Sequence, residues 1–121
     1  MTRQPAIAIH APAKRNKYGA VKVSLDGYTF DSKREAAYYA ELKIRQRAGE
    51  IGDIAVHPRY MIVSNGFEIT TYTADFAFND LKTGRRHVVD VKSPITAAKR
   101  DFKLVAKLFR AQFGFDLQVV F

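Results

Sequence analysis

The 121-residue sequence contains no cysteine. This absence excludes disulfide bonds, zinc sites built from thiolates and a cysteine nucleophile. Long apolar runs are also missing, since none approaches the roughly 20 residues that a helix needs to cross a bilayer. The apolar segment at 7–13 is too short, and too interrupted by proline, to be a secretory signal peptide. The sequence therefore predicts a cytoplasmic protein.

Acidic residues are scarce relative to basic ones: 12 Asp and Glu stand against 20 Lys and Arg, which gives a net charge of +8. Residues 1–20 carry four basic side chains and no acidic one, and residues 94–113 carry five basic side chains and one acidic one. Two basic regions on an otherwise neutral chain indicate a polyanionic partner, most simply a nucleic acid. The alternative is a solvated tail and a solvated helix face. The residues predicted to bind DNA are Lys14, Arg15, Lys17, Lys99, Arg100, Lys103 and Lys107.

The hydrophobic content of 47% is enough for one globular domain. Residues 1–17 lack hydrophobic periodicity, so we expect a basic arm there and a single domain over residues 18–121. Turn and cap signals divide this domain into a hairpin, a helix, three strands, a second helix and a last strand. The first helix is predicted to bury a face formed by Ala37, Ala40, Ile44 and Ala48, with Tyr38, Tyr39 and Leu42 widening its apolar surface. The boundary signals are Asp26-Gly27, Asp31 or Ser32, Gly49, Asn65-Gly66, Ser93-Pro94 and Gly114.

The segment 70–93 is predicted to form two strands joined by a polar loop at 79–85. Side chains two residues apart on a strand share a face, so Asp90 and Lys92 point the same way, and Asp75 lies on the more polar face of its own strand. Pairing of the two strands with both polar faces on one side would bring two carboxylates and one ammonium together. The alternative is an ordinary Asp–Lys pair on the surface of a strand.

Two neighbouring carboxylates are ligands that Mg²⁺ or Mn²⁺ prefers, and the backbone carbonyl of Val91 could add another ligand oxygen. Such an ion lowers the pKa of its bound water and neutralises charge on a phosphate in the transition state. Lys92 could orient or help to deprotonate the attacking water, or stabilise the phosphate. The sequence contains no competing Ser/His/Asp constellation, glycine-rich phosphate loop or HExxH motif. The pattern therefore indicates metal-assisted phosphodiester hydrolysis.

Two further residues have more than one interpretation. Ser32 and Glu35 have the spacing of a capping box, in which the glutamate accepts a hydrogen bond from the helix start. Alternatively, Glu35 aims a third carboxylate at Asp75 and Asp90. The segment 51–63 is predicted to contain a strand with His57-Pro58 inside it or at its edge, since Pro58 implies a strand start, an edge or a bulge. His57 is either a metal ligand, a DNA contact or a structural residue.

The order of these elements resembles the PD-(D/E)XK nuclease superfamily: a helix with Glu35, a strand, a strand with Asp75, a strand with Asp90-Val91-Lys92, and a helix. The segments FDSKREAAYYAELK, YTADF and VVDVKS are also similar to those of a small family of phage and prophage proteins assigned to that superfamily. The layout resembles that of archaeal Holliday-junction resolvases. The similarity extends over about residues 17–121.

The resemblance implies an α/β fold with a restriction-endonuclease-like core, in which helices flank a mixed sheet of four or five strands. It also implies that Asp75 and Asp90 are metal ligands, that Lys92 is the catalytic lysine, and that Glu35 is an active-site acid. A homodimer is common in the superfamily. One departure is Ala74, which replaces the proline of the superfamily's first motif.

The expected function is that of a divalent-metal-dependent DNA endonuclease. The small size of the chain favours recognition of DNA shape, such as a branched Holliday junction. One alternative is a non-catalytic DNA-binding or phage packaging-associated module that retains the nuclease fold. Another is an RNA-binding domain, which would expose aromatic side chains such as Tyr72, Phe76 and Phe78 on a sheet face rather than bury them in the core.

Overall fold

The computed structural model describes residues 21–121. The predicted basic arm, with Lys14, Arg15 and Lys17, lies outside the described residues. The chain divides into two compact units, of which the first ends at Ile44 and the second begins at Arg45. The prediction of a single domain over residues 18–121 stays a prediction.

The first unit begins with an antiparallel hairpin of β1 (Val23–Leu25) and β2 (Tyr28–Phe30). Asp26 and Gly27 both have positive φ, of 53° and 83°, as the twist of a two-residue hairpin turn requires. The predicted hairpin and its turn are therefore confirmed. The hydroxyl of Tyr39 donates to the Asp26 carboxylate at 2.9 Å, which ties the turn to the helix that follows.

Helix α1 (Lys33–Arg47) begins with the predicted cap. The backbone N–H of Glu35 donates to the Ser32 hydroxyl at 3.1 Å, and the Glu35 carboxylate accepts the N–H of Asp31 at 2.8 Å. Gly49, with φ of 80°, follows the end of the helix as expected.

The predicted buried face of α1 is partly wrong. Ala37, Ala40 and Ala48 are exposed, and Ile44 is 61% exposed. Two of the residues predicted to widen this face, Tyr39 and Leu42, are buried as expected. These larger side chains remove more apolar area from water than the alanines would, and so they decide which face is inward. The buried residues of the helix are Glu35, Ala36, Tyr39 and Leu42.

The second unit contains a mixed four-stranded sheet. Its strands lie in the order β3-β6-β7-β8; the first two pairings are antiparallel and the last is parallel. The parallel pairing is possible because helices α2 and α3 form the crossover between β7 and β8. The predicted α/β class with a mixed sheet is confirmed. The elements are β3 (Ile51–Val56), β4 (Arg59–Ser64), β5 (Phe67–Thr73), β6 (Phe76–Asp80), β7 (Arg86–Val91), α2 (Pro94–Ala97), α3 (Arg100–Phe113) and β8 (Gln118–Val120).

Two segments are interrupted at facing points. The segment 51–63, in which Pro58 predicts a strand start, edge or bulge, divides at His57-Pro58 into β3 and β4. The strand that carries Asp75, which the sequence predicts as continuous, breaks at Ala74-Asp75 into β5 and β6. His57 has φ of 53°, and proline cannot donate to a ladder, so regular pairing stops there. Among the strands of residues 21–121, β4 and β5 then pair only with each other. The interruption frees Asp75 from the alternation of a regular strand.

The core of the second unit lies between the sheet, the β4–β5 hairpin and α3. Its buried residues are Ile62, Ala74, Ala77, Val88 and Phe109. In β6 every residue from Phe76 to Phe78 is buried, so this part of the strand has no polar face. The rings of Phe76 and Phe78 are thus core residues and not an exposed stacking surface.

The second predicted helix is two helices. Ser93 caps α2 as expected, since its hydroxyl accepts the N–H of Thr96, but the chain leaves the helix at Ala98 and Lys99 before α3 begins. Both residues are exposed. Gly114 ends α3 with φ of 84°. No helix within residues 21–121 has the length and apolarity that a membrane crossing requires.

Candidate functional site

Asp75 lies at the break between β5 and β6, where its carboxylate reaches the neighbouring strand. Oδ2 of Asp75 accepts the backbone N–H of Val91 at 2.7 Å. The backbone N–H of Asp75 donates to the carbonyl of Val89 at 3.1 Å. Both contacts hold Asp75 against the last residues of β7, as the sequence predicts.

Asp90 is the buried carboxylate of this site. It is only 2% exposed, although it lies next to the last residue of β7. Its Oδ2 accepts a hydrogen bond from the Tyr72 hydroxyl, and its Oδ1 lies 3.9 Å from the ammonium nitrogen of Lys92. Burial raises the pKa of Asp90 to about 6, against the opposing effects of the Lys92 charge and of the Asp75 backbone N–H.

Lys92 shares a face with Asp90, as predicted, and its side chain is mostly buried. Its ammonium nitrogen also lies 4.7 Å from the centre of the Phe102 ring, which is a cation–π contact. Its backbone N–H donates to the carbonyl of Val120 at 2.9 Å. The lysine is therefore held between a carboxylate and an aromatic ring.

The backbone of Val91 faces Asp75. Within a strand the N–H and the carbonyl of one residue point to the same side, and the N–H of Val91 is bound to the Asp75 carboxylate. The carbonyl of Val91 therefore points to the side of Asp75. This direction is compatible with the predicted role of that carbonyl as a metal ligand.

His57 also lies beside Asp75. A ring nitrogen of His57 is within 4.8 Å of a carboxylate oxygen of Asp75, and the backbone N–H of His57 donates to the Asp75 carbonyl at 2.9 Å. The sequence leaves the role of His57 open, and its proximity to Asp75 is new information from the structure. The His57 ring thus places a nitrogen atom that could ligate a metal beside the Asp75 carboxylate.

Glu35 belongs to the first unit and is 4% exposed. Its backbone N–H and its carboxylate both make the helix-cap contacts described above, so its capping role is confirmed. Its role as an active-site acid stays a prediction.

The donors in the second unit suit a hard divalent cation. Within residues 21–121, Lys92 is the one cation recorded in an ion pair with the buried Asp90, and its 3.9 Å separation is long for a hydrogen bond. A buried carboxylate with so little compensation gains from an added cation. Asp75 and Asp90 each have Oδ2 engaged by the chain, so each can still offer Oδ1 as a ligand.

The basic residues predicted on the second helix are all exposed. Arg100, Lys103 and Lys107 line one surface cavity of about 500 Å³ on α3, together with Asp101 and Leu104. Arg110, on the same helix, is instead paired with Asp116 at 2.7 Å. The exposed basic residues of this region are Lys99, Arg100, Lys103 and Lys107.

Sequence reasoning missed one residue of the site. Tyr72 was assigned to the core or to an aromatic RNA surface, whereas its hydroxyl contacts Asp90. The residue type could have indicated this contact. A tyrosine on an inward face needs a hydrogen-bond partner for its hydroxyl, whereas a phenylalanine does not.

Comparison with curated proteins and with solved structures gave no match to this chain. One family model matches residues 15–120, nearly the whole chain, and its description is "Protein of unknown function (DUF1064)". The match includes every residue of the site described above. The chain is therefore a member of the DUF1064 family.

Proposed function

We propose that the chain is a divalent-metal-dependent DNA endonuclease with a core of the PD-(D/E)XK type. The observation that carries the proposal is the hydrogen bond from the Val91 N–H to the Asp75 carboxylate. This bond joins the residue at the start of β6 to the Asp90-Val91-Lys92 segment at the end of β7. Two carboxylates, a strand carbonyl and a lysine thus belong to one small region of the second unit.

The roles of the residues follow from these contacts. Asp75 and Asp90 would bind Mg²⁺ or Mn²⁺, and the carbonyl of Val91 would add a third oxygen. When bound, the ion would supply charge neutralisation at the scissile phosphate and acidify its bound water. Lys92, held beside Asp90, would orient the attacking water or stabilise the phosphate oxygens. The resemblance adds Glu35 to the proposed active-site acids.

His57 would contribute a nitrogen ligand beside Asp75. Imidazole suits transition metals, whereas Mg²⁺ prefers oxygen ligands alone. The proposal therefore includes faster cleavage with Mn²⁺ than with Mg²⁺.

The basic residues of α3 would bind the DNA backbone. Lys99, Arg100, Lys103 and Lys107 lie within 15 residues of Lys92 along the chain, and exposed lysines and arginines of this kind neutralise phosphates without reading bases. Such contacts suit recognition of DNA shape, such as a branched junction. Cutting both strands of a junction needs two active sites, so the proposal includes a homodimer acting on DNA in the cytoplasm.

A cleavage assay tests this function. The wild-type protein is incubated with a labelled four-way junction, a matched duplex and a single strand, each with Mg²⁺ or Mn²⁺. Asp90→Asn removes the charge of the buried carboxylate and is expected to lower cleavage at least about 100-fold. Asp53→Asn is the matched control, because Asp53 is an exposed aspartate on β3 whose partner is Asn79.

Metal-dependent cleavage that survives Asp53→Asn and is lost in Asp90→Asn would establish the endonuclease, and the preferred DNA would define its substrate. A wild-type protein that binds all three DNAs and cuts none of them with either metal would contradict the proposal. The non-catalytic DNA-binding module would then be the better interpretation.

A further inference from the structure

We propose that Tyr72 is a positioning residue that fixes the orientation of the Asp90 carboxylate for metal binding. This inference rests on the proposed endonuclease function and extends it to a residue outside the expected ligand set. The hydroxyl of Tyr72 donates to Oδ2 of Asp90, while Oδ1 is the oxygen nearer to Lys92. The two oxygens of one carboxylate therefore have different partners.

Aromatic packing fixes the position of the Tyr72 ring independently of Asp90. The ring stacks on Tyr60 with centres 6.4 Å apart, and it meets Phe109 edge to face at 6.0 Å. Phe109 is fully buried in α3 and also contacts Tyr60 at 5.4 Å. Such aromatic pairs stabilise a defined ring geometry beyond the burial of their area. The mutual packing of these three rings thus holds the Tyr72 hydroxyl next to Asp90.

The two aspartates of the site are held in the same manner. Oδ2 of Asp75 is engaged by the Val91 N–H, and Oδ2 of Asp90 is engaged by the Tyr72 hydroxyl. Each carboxylate would then offer one defined oxygen, Oδ1, to a cation. Hydrogen bonds of this kind orient ligands before the metal arrives, and their loss typically costs about 10- to 100-fold in metal affinity or activity.

The test compares Tyr72→Phe with Tyr60→Phe. Tyr72→Phe removes the hydroxyl but keeps the ring that packs on Tyr60 and Phe109. Tyr60→Phe makes the same chemical change in the neighbouring ring of the same group and serves as the control. Mn²⁺ binding is measured without DNA by electron paramagnetic resonance, kcat and KM are measured on the preferred DNA, and thermal unfolding checks that both variants fold.

Tyr72→Phe is expected to weaken Mn²⁺ binding and lower kcat by about 10-fold or more, with KM for DNA unchanged. Tyr60→Phe is expected to stay within about twofold of wild type in Mn²⁺ affinity, kcat and KM. A purely structural role for Tyr72 would lower the unfolding temperature and leave the Mn²⁺ affinity of the folded protein unchanged, and that result would overturn the inference.

The outcomes separate this inference from the proposed function. If the wild-type protein cleaves DNA and Tyr72→Phe equals it in Mn²⁺ affinity and kcat, the endonuclease stands and the positioning role is wrong. If the wild-type protein binds Mn²⁺ but cuts no DNA, the endonuclease is wrong, and the Mn²⁺ affinities of the two variants still decide the role of Tyr72. A wild-type protein that binds no Mn²⁺ overturns both.

Discussion

Asp90 places a carboxylate almost completely out of water, with a hydroxyl and an ammonium as its partners. Burial raises its pKa to about 6, whereas an aspartate in the unfolded chain titrates near its usual value of about 3.9. The folded protein therefore favours the protonated form. Below about pH 4 the group is protonated in both states and carries no penalty. Between about pH 4 and pH 6 the unfolded chain ionises this group while the folded protein keeps it protonated, so the folded state loses stability across this window and no more above it.

We expect Asp90→Asn to stabilise the metal-free protein at pH 8 and to leave its stability nearly unchanged at pH 4. The gain at pH 8 is at most about 3 kcal/mol, because a shift of one pKa unit corresponds to about 1.4 kcal/mol. Urea unfolding at the two pH values measures the difference. Asp53→Asn, at an exposed position, should show no such gain. If Asp90→Asn lowers the free energy of unfolding by the same amount at both pH values, burial of the ionised Asp90 carboxylate does not destabilise the folded protein.

The sequence predicts what a single residue can do chemically better than it predicts which residues that side chain contacts. Residue spacing was sufficient to place Asp90 and Lys92 on one face, and the structure confirms their proximity. The contacts of Tyr72 and His57 could not be derived in this way. Both depend on pairings between segments that are distant along the chain, and period-two spacing within one strand carries no information about them.

At the scale of secondary-structure elements, the paired interruptions of the strands have the largest effect on the site. The N–H of His57 donates to the Asp75 carbonyl at 2.9 Å, and the N–H of Ala74 donates to the Pro58 carbonyl at 3.0 Å. These two bonds cross the breaks and hold them face to face. Pro58 was the visible signal for one break, but the alternation around Asp75 continues through the other, so the sequence predicted an unbroken strand there.

In the proposed PD-(D/E)XK-type core, Ala74 would stand where the superfamily's first motif has proline, and its backbone contact gives a reason for the alanine. Its backbone N–H donates to the Pro58 carbonyl, which a proline could not do. Ala74 is also fully buried, so water could not replace this lost donor easily.

We therefore expect Ala74→Pro to lower the free energy of unfolding by at least about 1–3 kcal/mol, because the Pro58 carbonyl loses the hydrogen bond from the buried Ala74. Ala74→Gly keeps the N–H and is the control, with an expected loss of about 1 kcal/mol from backbone freedom. Urea unfolding of the two variants compares them directly. Equal losses would indicate that the hydrogen bond to Pro58 contributes nothing to the junction of the strands.

At the scale of the whole molecule, the net charge of +8 is the dominant property. The positive charge is concentrated in two regions of the sequence. One is formed by the exposed lysines and arginines of α3, and the other lies within residues 1–20, outside the described part of the chain. Composition alone predicted a polyanionic partner, but it could not show which basic residues are accessible. The structure adds that Arg110 is neutralised by Asp116, whereas Lys103 and Lys107 line an open surface cavity.

If α3 binds the DNA backbone, the double substitution Lys103→Gln/Lys107→Gln should weaken binding to junction, duplex and single strand alike. The slope of log K against log salt should become shallower by about 1 to 2, since each phosphate contact contributes about 0.7–0.9. At saturating DNA the cleavage rate should be unchanged, because neither lysine contacts the carboxylates of the site. Fluorescence anisotropy over a salt series measures the slope. The control is Lys82→Gln/Arg85→Gln, which removes the same charge from exposed positions in the β6–β7 turn. An equal effect of both double substitutions would mean that net charge alone drives binding, and that α3 is not the surface that contacts DNA.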